Sequence, residues 1–146
     1  MDGAVEELAQ LIEFLSARFK QTEEVFASRL DASEREVALL RTLGAEGPMI
    51  TKELGARFAV PVSTMTGLVD RMEEKGLVRR VRGRRDRRAI ELEPTSAGTT
   101  ALRDHDRSVE AIARGMLAPL SDRDRRALVT ILRRVRAALE NGKETS

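Results

Sequence analysis

The segment Gly76–Gly98, GLVRRVRGRRDRRAIELEPTSAG, has few ways to fold. Two short β-prone runs, Leu77–Arg82 and Ala89–Glu93, flank a turn at Gly83–Arg88, so the spacing predicts a β-hairpin. Seven arginines and one acid, Asp86, lie between Arg79 and Arg88, and these ten residues carry a net charge of +6. Charge at that density is not buried unpaired, so the tip must face water or a polyanion. A narrow groove with closely spaced phosphates on both walls, as in duplex DNA, fits a hairpin tipped with arginines.

The charge distribution says more than its sum. The 146-residue chain has a formal net charge of only +2, while residues 1–53 hold six basic and eleven acidic side chains. The length allows one domain, or one domain with an oligomerisation arm. The absence of cysteine excludes disulfides, thiolate metal sites and thiol-based peroxide sensing. Four Phe and no Trp or Tyr leave almost nothing from which to build a base-stacking platform, which favours duplex DNA over RNA or single strands. No apolar run approaches a membrane span and the N-terminus lacks a signal pattern, so a cytoplasmic protein with no membrane partner is expected.

Helical periodicity accounts for the rest of the chain. A first helix is predicted over Val5–Ser28, with Val5, Leu8, Ile12, Leu15, Phe19, Thr22 and Phe26 forming a coiled-coil-like seam. The second starts at Asp31, which with Glu34 makes a capping-box-like start, and buries Val37, Leu39, Leu40 and Leu43. Met49 and Ile50 can add a minimal strand beside the hairpin. Helix three covers Thr51–Phe58, and Ala59–Pro61 form a turn. Helix four covers Val62–Lys75, with Met65, Leu68, Val69 and Met72 inward and Gly76 as its stop. After the hairpin, Thr95 or Ser96 caps a helix over Ala97–Ala118, whose stripe is Leu102, His105, Val109, Ile112 and Met116. Pro119 ends it. Ser121 with Asp124 starts a last helix, Asp122–Glu140, that buries Leu128, Ile131, Leu132, Val135 and Leu139. The polar tail 141–146 is expected to fray.

Two short helices joined by a turn, followed by a basic hairpin, make a winged helix-turn-helix. Helix four then enters the major groove N-terminus first, where its free N–H groups favour phosphate. It opens on Pro61, Val62, Ser63, Thr64 and Thr66. The hydroxyls are short enough for close approach, and the Thr methyls can meet thymine. Ser63 can also cap the helix. Arg71 lies off the apolar stripe, able to contact a phosphate or to pair with an acid, and Lys52 is a phosphate contact or a solvent residue. The wing contacts expected are Arg82, Arg84, Arg85, Arg87 and Arg88. Asp86 costs affinity at a phosphate-facing tip unless it organises the wing, for example by clamping Arg84 or Arg88; Asp70 can reach Arg88 as well.

The stretches LDASEREVALLRTL, TKELGARFAVPVSTMTGLVDRMEEKGLVRR and DRRAIELEPTSAG together resemble the MarR family of winged helix-turn-helix regulators, over Leu30–Gly98. The resemblance implies a mainly α fold with a small β-hairpin, as a single MarR-like domain over 1–146: a DNA-binding lobe at about 31–94 and dimerisation helices at about 4–28 and 95–141. It implies a homodimer joined by those helices on a near-palindromic double-stranded operator, with Leu8, Ile12, Leu15, Phe19, Leu128, Ile131, Leu132, Val135 and Leu139 at the interface. It further implies repression relieved by a small-molecule effector, anionic or aromatic, in a cleft between the dimer region and each lobe. No cofactor and no metal are implied. Gly67 departs from the arginine that many members carry there to reach bases, and Pro94 from a common leucine.

Other classes are weaker. His105 is the sole histidine, and with no cysteine or phosphate-binding loop there is no catalytic constellation, so no enzyme is expected. On its apolar stripe His105 reads first as a core or interface residue and second as an effector or proton sensor. A non-specific architectural DNA binder, an effector-independent winged-helix regulator and a protein-interaction module remain as alternatives.

Overall fold

The structure, a computed structural model, describes residues 2–142. Its elements run α1 (Asp2–Arg29), α2 (Glu34–Glu46), β1 (Met49–Ile50), α3 (Thr51–Arg57), α4 (Val62–Glu74), β2 (Val78–Arg82), β3 (Ile90–Pro94), α5 (Ser96–Leu117) and α6 (Asp122–Gly142). They form two compact units that divide within α5, after Val109. The expected fraying of 141–146 falls, from residue 143 on, outside the described residues.

In the first unit, β1, β3 and β2 form an antiparallel sheet in that spatial order. Met49 faces Leu92 across one pair, and Arg80 faces Leu92 across the other. The hairpin register runs from Val78 opposite Pro94 to Arg82 opposite Ile90. Leu39, Leu40, Leu43, Leu54, Met65, Leu68, Val69, Met72, Leu77, Val78 and Leu92 form the core beneath the sheet. Both helices of the helix-turn-helix and both wing strands therefore share one buried cluster, which fixes α4 relative to the hairpin. A smaller cluster of Phe26, Val37 and Ala101 joins α1, α2 and α5.

The caps explain where the helices begin, with two corrections. Helix α2 starts at Glu34 with Ser33 as its N-cap, not at Asp31. Ser33 Oγ accepts from Glu36 N–H and Glu36 Oε2 accepts from Ser33 N–H, a reciprocal capping box. Asp31 is instead in the left-handed region, φ 49°, within the turn that closes α1. An N-cap needs extended backbone, which Ser33 has at φ −75°, ψ 163°. Two overlapping i, i+3 pairs competed, and the turn decided between them. Ser63 is likewise not a cap: Pro61 takes that position, leaving Ser63 inside the first turn. Thr95 Oγ1 accepts from Gly98 N–H and donates to Gly76 O, tying the start of α5 to the end of α4. Gly76, at φ 71°, permits that helix end.

The outer helices depart from expectation in exposure. On α1, Phe26 leaves the seam for the core, while Val5, Leu8 and Ile12 are more than half exposed and Leu15 is half-buried. Leu11 and Phe14, outside the expected stripe, are exposed too. In the second unit, Ile131, Leu132, Val135 and Leu139 of α6 are open to solvent rather than buried, and Leu128 is half-buried.

Candidate nucleic-acid interface

The seven arginines divide by position. The two at the root of the wing are paired within the protein. Arg79 donates from Nε to Glu93 at 2.8 Å, across a facing pair of the ladder. Arg80 bridges β2 to α4, meeting Asp70 Oδ1 at 2.6 Å and also Glu73. The Asp70 hydrogen bond, aided by the nearby Glu73, holds the Arg80 proton more tightly still. The other five, Arg82, Arg84, Arg85, Arg87 and Arg88, are exposed, and among the described residues none has a side-chain hydrogen bond or ion pair. The wing tip thus carries uncompensated charge, while its root is locked to the helix beside it.

Asp70 and Asp86 need correcting. Asp70 engages Arg80, not Arg88, because α4 packs against the root of the hairpin and not its tip. Asp86 clamps neither Arg84 nor Arg88 through a guanidinium. Its Oδ1 accepts the Arg88 backbone N–H at 2.9 Å, a short carboxylate closing on its own chain two residues on. Asp86 O accepts from Ala89 N–H, and Ala89 O from Gly83 N–H. A side chain at Gly83 would collide with Asp86 O, so this turn requires glycine there. Asp86 therefore shapes the backbone that carries the arginines and leaves their side chains unrestrained.

On α4, Val62, Ser63, Thr64 and Thr66 are exposed around the first turn. Thr66 Oγ1 donates back to Val62 O, whereas the Ser63 and Thr64 hydroxyls have no partner among the described residues. Lys52 is exposed at the start of α3.

Glu36 escaped the sequence reading. It lies on α2, is 2 % exposed, and gathers Arg71 Nε at 2.8 Å and Lys75 Nζ at 3.0 Å from α4. Burial alone would push its carboxyl up. The Ser33 N–H, Lys75 and Arg71 outweigh that and hold it down at about 2. Its capping-box spacing was the available signal, masked by the competing pair at Asp31.

His105 is buried, with Nε2 2.6 Å from Glu23 Oε1 and its ring 4.7 Å from that of Phe26. Glu23 also accepts from Arg41, so the three helices of the smaller cluster meet through one carboxylate. Among the described residues, no three His, Asp or Glu side chains gather as a metal site would require. An open cleft of about 330 Å³ lies where β2 and β3 meet the start of α5, with Arg79, Arg103, Thr95 and Thr99 in its lining. Among the described residues, no helix is long and apolar enough to cross a membrane.

The family model for MarR proteins matches residues 32–90. An uncharacterised helix-turn-helix-type transcriptional regulator of Bacillus subtilis, YfiV, is 27 % identical over 116 residues, covering 80 % of this chain and 72 % of the relative. A second from the same organism, YpoP, is 34 % identical over 86 residues, covering 58 % of this chain and 61 % of its own length. The Bacillus subtilis YusO structure superposes with a TM-score of 0.77 at 21 % identity, covering 94 % of this chain and 98 % of that one. Its likeness is one of fold.

Proposed function

The chain belongs to the MarR family, and from that premise we propose that it is a sequence-specific double-stranded DNA-binding transcriptional regulator, a homodimer that represses from a near-palindromic operator until a small-molecule effector releases it. Family membership puts it with DNA-binding regulators and not with enzymes. The observation that carries the reading is the division of the hairpin arginines: a paired root and five unpaired guanidiniums at the tip. A protein that only needed a solvated surface has no use for a charged tip carried on a root braced against the helix beside it.

In this reading Pro61, Val62, Ser63, Thr64, Thr66 and Arg71 face the major groove, and Arg82, Arg84, Arg85, Arg87 and Arg88 follow the wing into the adjacent minor groove. The lobe spans about 31–94, and the helices at about 4–28 and 95–141 join two copies. Support for the dimer is the apolar surface left open on α1 and α6, of a kind that monomers seldom expose. Two such helices from each copy would bury it. An anionic effector suits the polar cleft at the start of α5, where Arg103 is exposed.

Selection of bound duplexes from a random pool tests the reading. One enriched palindrome, bound about 10³-fold or more tighter than random duplex, is expected of a specific regulator. Equal affinity for all duplexes would instead mark an architectural DNA binder.

A further inference from the structure

We propose that Arg71 reads a base directly, with guanine as its chemical match, and that the buried Glu36 is the positioning residue that presets its guanidinium. The proposal rests on the DNA-binding reading above and assigns one contact within it.

The geometry begins at Glu36. A nearly fully buried carboxylate is tolerated only when its oxygens are satisfied. Glu36 Oε2 accepts from Ser33 N–H and Lys75 Nζ, and Oε1 from Arg71 Nε. Lys75 also donates to Asp31 O, so it too is anchored to the turn between α1 and α2. One negative charge thus faces two positive ones, which leaves a surplus cation on α4. The surplus falls to Arg71, whose side chain is 54 % exposed against 25 % for Lys75.

Arg71 is held by Nε alone. Among the described residues neither Nη has a hydrogen-bond partner, so the outer edge of the fork is open. A guanidinium fixed at Nε presents its two Nη donors in one plane, the arrangement that pairs with O6 and N7 of guanine. A phosphate contact needs charge and tolerates a mobile side chain; a base contact needs a fixed fork.

Gly67 makes the room. Ser63, Gly67 and Arg71 recur at four-residue spacing, so they line one face of α4, and helical side chains lean toward the N-terminus. Arg71 Nη1 lies 3.7 Å from where a Cβ on Gly67 would be, and, Gly67, its chain neighbours and the backbone of its own helix aside, no other atom of the described residues comes within 4 Å of that point. The charge therefore sits about one turn nearer the N-terminal end of α4 than its own Cα. A longer side chain at 67 would compete for the same space.

The test is duplex selection with the full-length wild type, Arg71→Lys, Glu36→Gln and Gly67→Leu, each first checked for a wild-type-like helical spectrum and a cooperative melting transition that lies above the temperature of the selection. Arg71→Lys keeps the charge and a donor for Glu36 but loses the fork. It should cut the preference at one base pair per half-site by about tenfold and leave the salt dependence unchanged. Gly67→Leu should weaken the same base pair with Arg71 intact, and Glu36→Gln should weaken it again while sparing the other positions. An unchanged profile for Arg71→Lys overturns the proposal, as does a loss spread evenly over all positions. A wild type that enriches no site at all removes the regulatory reading itself, and this assignment with it.

Discussion

The Asp86 carboxylate accepts the Arg88 backbone N–H at 2.9 Å, so the one acid at the wing tip acts on the main chain and on no arginine side chain. Asp86→Ala should therefore weaken operator binding by about 3- to 10-fold, the worth of one net hydrogen bond in a turn that must be ordered on binding. Coulomb reasoning gives the opposite sign, since an anion near phosphates is being deleted, but screening reduces that gain. Asp86→Asn separates the two effects, because its amide oxygen can accept the same bond without the charge. It should bind at least as tightly as wild type. Titrations of both variants at two salt concentrations decide the matter, and Asp86→Ala binding as tightly as wild type at both would end the turn argument.

The unpaired tip arginines should show in the salt dependence of binding. For each of Arg84, Arg85 and Arg87 that meets a phosphate, replacement by Ala should lower the magnitude of the log K against log [salt] slope by about 0.9. Arg79→Ala removes a paired arginine and should leave the slope nearly unchanged. A triple tip variant with wild-type affinity at moderate salt would mean that the hairpin does not contact DNA.

Glu36 sets an acid limit on stability. Its carboxyl is held at about 2 in the folded chain against an ordinary 4.5, so the unfolded chain binds the proton more readily. Stability from this group is therefore fully present above pH 4.5 and is lost as pH falls from there toward 2. Its size at neutral pH is on the order of 3 kcal/mol. Glu36→Gln should be less stable than wild type at pH 7, and the gap should narrow below pH 4.5. Urea unfolding across that range measures it, and a gap independent of pH would show that the ion cluster is not its source.

Leu132 is half exposed on α6 in the single chain. Leu132→Arg should thus be harmless to the winged lobe but strongly unfavourable where the residue meets a second copy. Light scattering at micromolar concentration should fall from two chains to one, while the lobe keeps its cooperative melting. A wild-type mass of one chain would count against the dimer.

Periodicity and punctuation were enough to place the elements, because they are local: the three-and-four spacing of apolar residues, Gly76 past α4, Pro119 past α5, and the glycine turn of the hairpin each act within a few residues. The density of arginines on that hairpin pointed to a polyanion for the same reason. What lay beyond the sequence was the choice of partners. Spacing cannot distinguish Asp31–Glu34 from Ser33–Glu36 as a cap, since both fit, and only the left-handed backbone at Asp31 rejects the first. Nor can it say which acid meets which arginine. Asp70 pairs with Arg80 because the shared core seats α4 against the hairpin root, and Glu36 reaches Arg71 and Lys75 across 35 and 39 residues of chain. Seven arginines read alike along the sequence. The tertiary structure separated them, because charge pairing depends on distances of a few ångströms that only packing sets.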